Sequence, residues 1–314
     1  MKKIYGLKFL CWIVLLFNGT ISCHQDPLVP PSAIPTTCRI YQLININEGI
    51  RDTTTYYYNT FGLIEKSTYR KWENSQLSVN TEQSFVYTAD YYLFSQVDRT
   101  TTRNASGNLT LQNKGYTYTY QDGRIQQVAI IDNSSNAKLG FREYTYEGDK
   151  LKAYTESNGN KGLIRRYTFD GAGKLTGYEE PGSGVINTIL TNGKIVQRTY
   201  SDSSSVQYQY DAEGQLLKQI LTSPTGRSQY SYSYDNKPYW NKTQLRLRGI
   251  PYPDIGEHIQ LHNLVASTYS RYQNNILTGE QKLIYAHTYN KDGYSQGYGR
   301  NDGVRQINYY SNCL

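Results

Sequence analysis

The sequence predicts an all-β protein, a long antiparallel meander of tandem β-hairpins that forms a strongly twisted sheet or a partly closed barrel. Three observations predict this fold. A short pattern of aromatic residues, a turn and an aliphatic residue recurs along the chain, its flanks alternate with a period of two, and 33 of the 314 residues are tyrosine. Tyrosine favours strands, and alternation places successive side chains on opposite faces of a sheet.

The recurring pattern has a longer form, which reads aromatic-x-aromatic-Asp/Asn-x-x-Gly-x-aliphatic. Its copies are Tyr56–Ile64, Tyr167–Leu175 and Tyr208–Leu216, and a weaker copy at residues 288–295 has Ser295 in place of the aliphatic residue. Asp-x-x-Gly suits a type I turn that is closed by glycine in the left-handed region, with a bulge. Each copy therefore predicts a strand, a tight turn and a returning strand.

A shorter form has one residue fewer in the turn. Its copies are Tyr118–Ile125, Tyr144–Leu151 and Ile189–Ile195. Asp-Gly and Asn-Gly suit a two-residue type I′ turn, in which both central residues need a positive φ. Glycine adopts a positive φ without a steric cost. The two forms together assign these glycines to turns: Gly62, Gly123, Gly148, Gly173, Gly193, Gly214 and Gly293.

These copies resemble the YD-repeat proteins, the Rhs-like group whose unit reads Tyr-Asp-x-x-Gly-x-Leu. The copies at Tyr58, Phe169 and Tyr210 carry the resemblance, although several others lack the aspartate. The chain also resembles a group of secreted lipoproteins of unknown function with an open or porin-like antiparallel β-structure. In that group a Tyr-Asp-x-Lys-Pro segment follows the hairpins, as Tyr234–Pro238 does here. The resemblance implies one β-hairpin repeat domain.

The first 22 residues predict a lipoprotein signal peptide. Three lysines precede an uncharged apolar run at residues 9–17, which is too short to span a bilayer. The stretch Thr20–Cys23 resembles a bacterial lipobox, with Thr20 where leucine is usual. This implies that Cys23 becomes the first mature residue and carries the lipid, which anchors the protein to the membrane in the cell envelope, on the periplasmic or surface face of the outer membrane. Cleavage elsewhere would leave a soluble secreted protein.

The mature chain divides into a tether and a folded domain. Residues 23–37 contain four prolines and predict an extended Pro-rich tether. The repeat domain is expected over residues 38–314, with an irregular insertion at about residues 239–268. Pro251 and Pro253 followed by an apolar set predict a loop there, with a short helix or strand that crosses the sheet.

Two cysteines lie at the ends of this domain. Cys38 is its first residue and Cys313 is the penultimate residue of the chain. Export places them in an oxidising compartment, so a Cys38–Cys313 disulfide that ties the two ends together is expected. The alternative is two free thiols.

Candidate chemistry is sparse. Removing residues 1–22 removes three lysines and no acid, so the net charge becomes 30 − 26 = +4, which does not support a nucleic-acid partner. His258 and His262 have a spacing suited to zinc but lack a third ligand, and we interpret them as ordinary histidines. Ser183 lacks a nucleophile-elbow pattern, and Glu179 and Glu180 would face opposite sides of a strand. No cofactor, metal site or catalytic residue is predicted.

These observations favour a non-catalytic cell-envelope lipoprotein. Its tyrosine-rich β-sheet would bind a glycan or a polypeptide, or act as a scaffold, and regular spacing assigns most tyrosines to sheet stability. A binding site is expected in the insertion or along a concave sheet face. The alternative is a hydrolase or a part of an Rhs-like effector, which would require clustered titratable groups in a cleft.

Overall fold

The computed structural model describes residues 39–239 and 261–311. These residues form twenty strands and no helix, which confirms the predicted all-β class. The strands are β1 Arg39–Asn47, β2 Ile50–Tyr58, β3 Ile64–Glu73, β4 Gln76–Tyr87, β5 Leu93–Arg103, β6 Leu109–Gln121, β7 Arg124–Asp132, β8 Ala137–Glu147, β9 Lys150–Asn158, β10 Leu163–Phe169, β11 Leu175–Glu179, β12 Val185–Thr191, β13 Lys194–Tyr200, β14 Ser205–Tyr210, β15 Leu216–Ser223, β16 Gly226–Pro238, β17 His262–Gln273, β18 Ile276–Tyr289, β19 Ser295–Arg300 and β20 Arg305–Ser311.

The strands form one antiparallel meander that nearly closes into a barrel. Each strand except β11 pairs with the next in the chain, and β20 pairs with β1 from Arg39↔Ser311 to Ile46↔Arg305. Among the described strands, β11 and β12 are the consecutive pair that shares no register of paired residues. The predicted partly closed barrel is therefore the form that this chain adopts, with one seam.

Alternate turns of an antiparallel meander lie at opposite ends of the sheet. The turns that carry the repeated pattern lie at one end, together with Arg39 and Ser311, where the described sheet begins and ends. We call this the motif end, and we call the other the open end. Arg39 adjoins Cys38, and Ser311 lies two residues before Cys313, but both cysteines lie outside the described residues.

The turn at Asp170 shows how the longer form of the pattern folds. The amide of Gly173 donates to the carbonyl of Asp170 at 2.9 Å, and the Asp170 carboxylate accepts the amides of Ala172 and Lys174 at 2.8 and 2.9 Å. Asp211 and Asn290 make the same bonds in their own turns. The side chain of the aspartate or asparagine therefore stabilises the turn by accepting hydrogen bonds from backbone amides within it.

The glycines assigned to turns by sequence all have a positive φ. The values are 80° for Gly62, 72° for Gly123, 57° for Gly148, 80° for Gly173, 76° for Gly193, 88° for Gly214 and 83° for Gly293. In the shorter form, Asp122 and Asn192 also have a positive φ of 51°, as a type I′ turn requires. A Cβ at Gly123 would lie 2.8 Å from the hydroxyl of Tyr92.

Several turns use the same geometry without a recognisable pattern in the sequence. Gly107 and Gly303 close two of them at a φ of 86° and 92°. Three others place a residue with a side chain in the left-handed region: Tyr91 at 65°, Lys161 at 62° and Ser203 at 65°. The repeat is therefore more regular in the backbone than in the sequence.

A β-bulge follows the aliphatic residue of every motif hairpin. Tyr87 pairs with Leu93 and Val86 with Ser95, which leaves Phe94 unpaired in the register. The hairpins from β2–β3 to β18–β19 show the same shift at the same place. Bulges increase local twist and bend the strand. Their repetition at one end gives the meander the curvature that brings β20 back to β1.

The buried face of the sheet carries a row of aliphatic side chains at the motif end. Ile40, Leu93 and Ile125 are fully buried, and the corresponding residues of the later hairpins are almost so: Leu175, Ile195 and Leu216. Next to this row lies a cluster of buried tyrosines, namely Tyr118, Tyr144, Tyr154 and Tyr167. The core therefore fills the motif end of the barrel. We call the face that carries it the inner face.

In several of the described hairpins a tyrosine hydroxyl makes a hydrogen bond to the preceding part of the sheet. The second aromatic residue of a copy donates its hydroxyl to the main-chain carbonyl of the preceding buried aliphatic residue. The bonds run from Tyr58 to Ile40 (2.7 Å), Tyr87 to Ile64 (2.7 Å), Tyr120 to Leu93 (2.9 Å), Tyr210 to Ile195 (2.9 Å) and Tyr234 to Leu216 (2.8 Å). Tyr146 occupies the same position, but its buried hydroxyl has no hydrogen-bond partner among the described residues.

The expected insertion is shorter than predicted from sequence. Residues 262–268 belong to β17, which pairs with β16 from His262 onward, with register shifts around Leu264, and with β18 from Ala266 onward. The apolar pair at Leu264 and Val265 is therefore part of a paired strand and does not cross the sheet. Residues 240–260 lie outside the described residues.

The Asp170 turn allows a matched test of the backbone geometry. Gly173 has a φ of 80° and open space around its Cβ position, whereas Gly171 in the same turn has open space without a positive φ. Gly173→Ala should lower the free energy of unfolding by about 1–2 kcal/mol, and Gly171→Ala should leave it nearly unchanged. Lys161→Gly should raise it by about 0.5–1 kcal/mol. Urea denaturation measures all three, and an equal loss for both alanine variants would contradict the assignment.

The hydroxyl ladder also has an internal control. Tyr120→Phe or Tyr210→Phe removes a hydroxyl that bonds a carbonyl, so each should lower the free energy of unfolding by about 1 kcal/mol. Tyr146→Phe removes a buried hydroxyl without a described partner and should be neutral or stabilising. Thermal and urea unfolding of the three variants test this. Equal losses for all three would show that the hydroxyl bonds contribute nothing measurable.

Candidate ligand-binding cavity

A cavity of about 760 Å³ lies at the open end of the barrel. It is formed by the ends of β14 to β17 and by the turns that follow β11 and β13. Hydroxyl side chains dominate its lining, including Ser201, Ser204, Ser205, Thr222, Ser223 and Ser228. Its volume is in the range of small-molecule sites, and its walls offer many donors and acceptors.

Two arginines line this cavity from neighbouring strands. Arg227 lies with its guanidinium over the ring of Tyr272, 4.5 Å from the centroid, and its Nη2 donates to Gln229 Oε1 at 3.4 Å. The Nε of Arg227 is buried and has no hydrogen-bond partner among the described residues. Arg271 is exposed on β17, where it pairs in register with Ser228. The cavity is therefore lined by one arginine that is fixed by stacking and by a second arginine that is exposed.

Asp202 is the acidic side chain among the described lining residues. Its carboxylate accepts hydrogen bonds from the amide of Ser204 at 2.9 Å and from the hydroxyl of Ser204 at 2.5 Å. These bonds lower the pKa of Asp202 below its usual value. With two arginines and one aspartate, the lining carries a net positive charge.

Deeper on the inner face, charged groups pair with one another. Glu156 lies between Arg165 at 2.5 Å and Arg142 at 3.6 Å, and only 13 % of its side chain is exposed. Arg142 lies among buried tyrosines, where burial raises the pKa of Tyr144 to about 12. These residues join β8, β9 and β10 across the inner face.

A second arginine stack lies at the seam. The guanidinium of Arg198 lies 4.7 Å from the ring centroid of Tyr178, so a β13 side chain reaches β11. The hydroxyl of Tyr178 donates to Glu180, while Glu179 lies 3.7 Å from Arg166. Neighbouring Glu179 and Glu180 thus have separate partners and do not form a carboxylate pair.

The Tyr234–Pro238 segment forms a clamp at the motif end. The Asp235 carboxylate accepts the amide of Asn263 at 3.0 Å and the hydroxyl of Tyr289. Gln215 Oε1 accepts the amides of Leu261 and His262 at 3.1 and 3.0 Å. These bonds hold the chain on both sides of residues 240–260.

Of the two histidines with zinc-like spacing, His262 lies within the described residues. His262 lies near the carbonyl of Lys237 at 3.0 Å and near Glu213 at 3.2 Å, and His258 lies outside the described residues. Within residues 39–239 and 261–311, no group of three His, Cys, Asp or Glu side chains is placed to hold a metal ion. Ser183 lines the cavity, but its hydroxyl bonds the carbonyl of Glu180 at 2.7 Å.

The open-end cavity was not predicted from the sequence. The predicted binding site lay in the insertion or on a concave sheet face, and no arginine was predicted to contribute to it. The cavity residues come from separate hairpins, and the pattern that marks the hairpins lies at the other end. Alternating tyrosines are visible in the sequence of β16, but Arg227 and Arg271 lie outside this alternating segment. The candidate lipidation residue Cys23 lies outside the described residues. Within the described part of the chain, no helix is long and apolar enough to cross a membrane.

Comparisons with known proteins give distant matches. No protein-family model matches the chain. Over 170 residues the chain is 28 % identical to the tRNA3(Ser)-specific nuclease WapA of Bacillus spizizenii. The matched segment covers 51 % of this chain and 7 % of that protein. The chain therefore spans a small fraction of its curated relative.

The similar solved structures are also β-rich relatives at low identity. A porin-like protein from Bacteroides uniformis matches 86 % of this chain and 95 % of its own, at 13 % identity and a TM-score of 0.38. A porin-like protein from Bacteroides vulgatus matches 87 % and 98 %, at 10 % identity and a TM-score of 0.32. The TcdB2-TccC3 structure without its hypervariable C-terminal region matches 81 % of this chain and 20 % of its own, at 10 % identity and a TM-score of 0.21.

Proposed function

We propose that this chain is a non-catalytic cell-envelope lipoprotein that binds an acidic glycan in the open-end cavity. The observation that carries the proposal is the pair of arginines, Arg227 and Arg271, in a wall of hydroxyl groups. Arginine binds carboxylates through charge-assisted hydrogen bonds, so an acidic ligand is favoured there.

The lining suits a saccharide. Serine and threonine hydroxyls donate to and accept from sugar hydroxyls, and the Tyr200 and Tyr272 side chains offer apolar rings beside them. Arg227 and Arg271 add charge-assisted donors, which bind a carboxylate more strongly than a neutral hydroxyl. A glycan that contains uronic acids matches this combination better than a neutral one.

The charged groups support binding in preference to catalysis. The inner-face carboxylate Glu156 is paired with two arginines, and the cavity carboxylate Asp202 is capped by Ser204. Each carboxylate therefore has its partners already and stabilises its own surroundings. The match to WapA covers a small part of that nuclease and does not favour a hydrolase or effector role for this chain.

The envelope location rests on the N-terminal sequence. The signal peptide at residues 1–22 and Cys23 imply a lipid that holds the protein at a membrane, with residues 23–37 as a spacer. Because the described sheet begins with Arg39 at the motif end, the open-end cavity lies at the end away from this tether. That arrangement suits capture of a ligand from solution.

Titration of the mature protein with uronic-acid oligosaccharides and with neutral oligosaccharides of the same length tests the ligand. We expect the acidic series to bind at least tenfold more tightly, and Arg227→Gln to weaken it at least tenfold, which is about 1.4 kcal/mol. Arg166→Gln is the control, because Arg166 faces Glu179 away from the cavity. Equal affinity for both series, or binding of an extended peptide in their place, would overturn the glycan assignment.

An intact-mass measurement on protein extracted from membranes without reduction tests the two covalent predictions together. We expect a chain that begins at Cys23 and carries a diacylglycerol-based modification. We also expect no alkylation of Cys38 and Cys313 unless a reductant is added, because a disulfide joins them. Cys23→Ser should remove the lipid mass and leave the disulfide. Free thiols at both positions would contradict the disulfide alone.

A further inference from the structure

A patch of exposed aromatic and aliphatic side chains lies on the outer face beside the motif end. We call it the aromatic patch, and its members are half-exposed or nearly so: Tyr41, Tyr57, Phe61, Val86, Phe94 and Tyr309. They belong to β20, β1, β2, β4, β5 and the turn after β2, which are neighbours in the sheet.

The strand geometry puts these side chains on one surface. Tyr57 and Val86 directly precede Tyr58 and Tyr87, whose hydroxyls bond on the inner face, so they point outward. Phe94 occupies the bulge that follows buried Leu93. At the β1–β20 junction the rings of Tyr41 and Tyr309 lie 5.9 Å apart.

Several hairpins lack a large apolar side chain at the position of Tyr57 and Val86, although Ile189 on β12 is an exposed one. In the hairpins that start with β6, β8 and β10, the position that corresponds to Tyr57 and Val86 holds Thr119, Thr145 and Thr168. Sheet formation alone therefore does not require large apolar side chains at that position. An exposed apolar patch on one side of a protein marks an interaction surface.

A strained residue extends the patch at the turn tips. Tyr91 has a φ of 65° at a place where other turns have glycine, and its ring packs against Phe61 with centroids 4.8 Å apart. A bulky residue in the left-handed region is an outlier, and such strain concentrates at functional surfaces. Tyr91 therefore places an aromatic ring at a position where glycine would remove the backbone strain.

We propose that the aromatic patch rests on the lipid surface to which Cys23 is attached. This inference builds on the lipid anchor proposed above. The described sheet starts beside the patch at Arg39, so the tether of residues 23–37, which can span no more than about 50 Å, joins the domain at the motif end. Aromatic rings, and tyrosine above all, are the side chains that favour the membrane–water interface.

The test uses the mature chain with Cys23→Ser, so that no acyl chain contributes, and vesicles of phosphatidylcholine and phosphatidylethanolamine. We expect reversible binding in a flotation assay. The double variant Phe61→Ser with Phe94→Ser should reduce the bound fraction at least threefold. The control pair is Leu109→Ser with Leu111→Ser, because both leucines are more than 60 % exposed on β6 at the open end. It should bind as the parent does.

A fluorescence measurement separates contact from loss of fold. Phe94→Trp should shift its emission to shorter wavelength when vesicles are added, whereas Leu111→Trp should not. No binding of the parent chain to vesicles, or equal losses in the two serine pairs, would overturn the proposal. The oligosaccharide titration and the intact mass are independent of this outcome, so failure here leaves the cavity and the lipid anchor standing.

Discussion

The hydrogen bond from a tyrosine hydroxyl to the carbonyl of the preceding hairpin is the interaction on which the fold depends. A single two-stranded hairpin is marginally stable in water. In several hairpins an aliphatic side chain lies in the core and the carbonyl of that same residue accepts a hydrogen bond from the next hairpin, as Leu93 does from Tyr120. The same aliphatic residue therefore contributes its side chain to the core and its carbonyl to the bond between hairpins. This double role explains why the spacing between the aromatic and the aliphatic residue is nearly constant along the chain.

The same end of the barrel supplies the curvature. The bulge after each aliphatic residue is repeated at the motif end, so bending accumulates in one direction until β20 reaches β1. Closure is completed by backbone pairing there and by side chains at the seam, where Arg198 stacks on Tyr178 across β12. The motif end is filled by the core, and polar side chains line the open end. The cavity is a consequence of this asymmetry.

Local signals made the fold class predictable, whereas the candidate site was not. Glycine at Gly173 and Gly214 and the alternation around Tyr118 depend on a few neighbouring residues, so a sequence displays them directly. The turns at Tyr91, Lys161 and Ser203 were missed because these residues stand where the pattern has glycine, so the sequence does not mark the left-handed position. Residues 262–268 were misread because Pro251 and Pro253 suggested a long irregular segment, while the pairing of β17 with two long strands decides its structure.

The cavity and the aromatic patch lie at opposite ends for a physical reason. A chain that is tethered through its N-terminus can present to solution the end that lies away from the tether. The motif end begins at Arg39 and is closed by the clamp around Asp235 and by the buried aliphatic row, so it has little room for a ligand. Its outer surface, in contrast, carries Tyr57 and Val86 where the hairpins that start with β6, β8 and β10 carry threonine. Exposed apolar rings at the motif end are unfavourable in water, and a lipid surface offers them an apolar environment. At the open end the two arginines of the cavity offer charge-assisted donors to an acidic ligand.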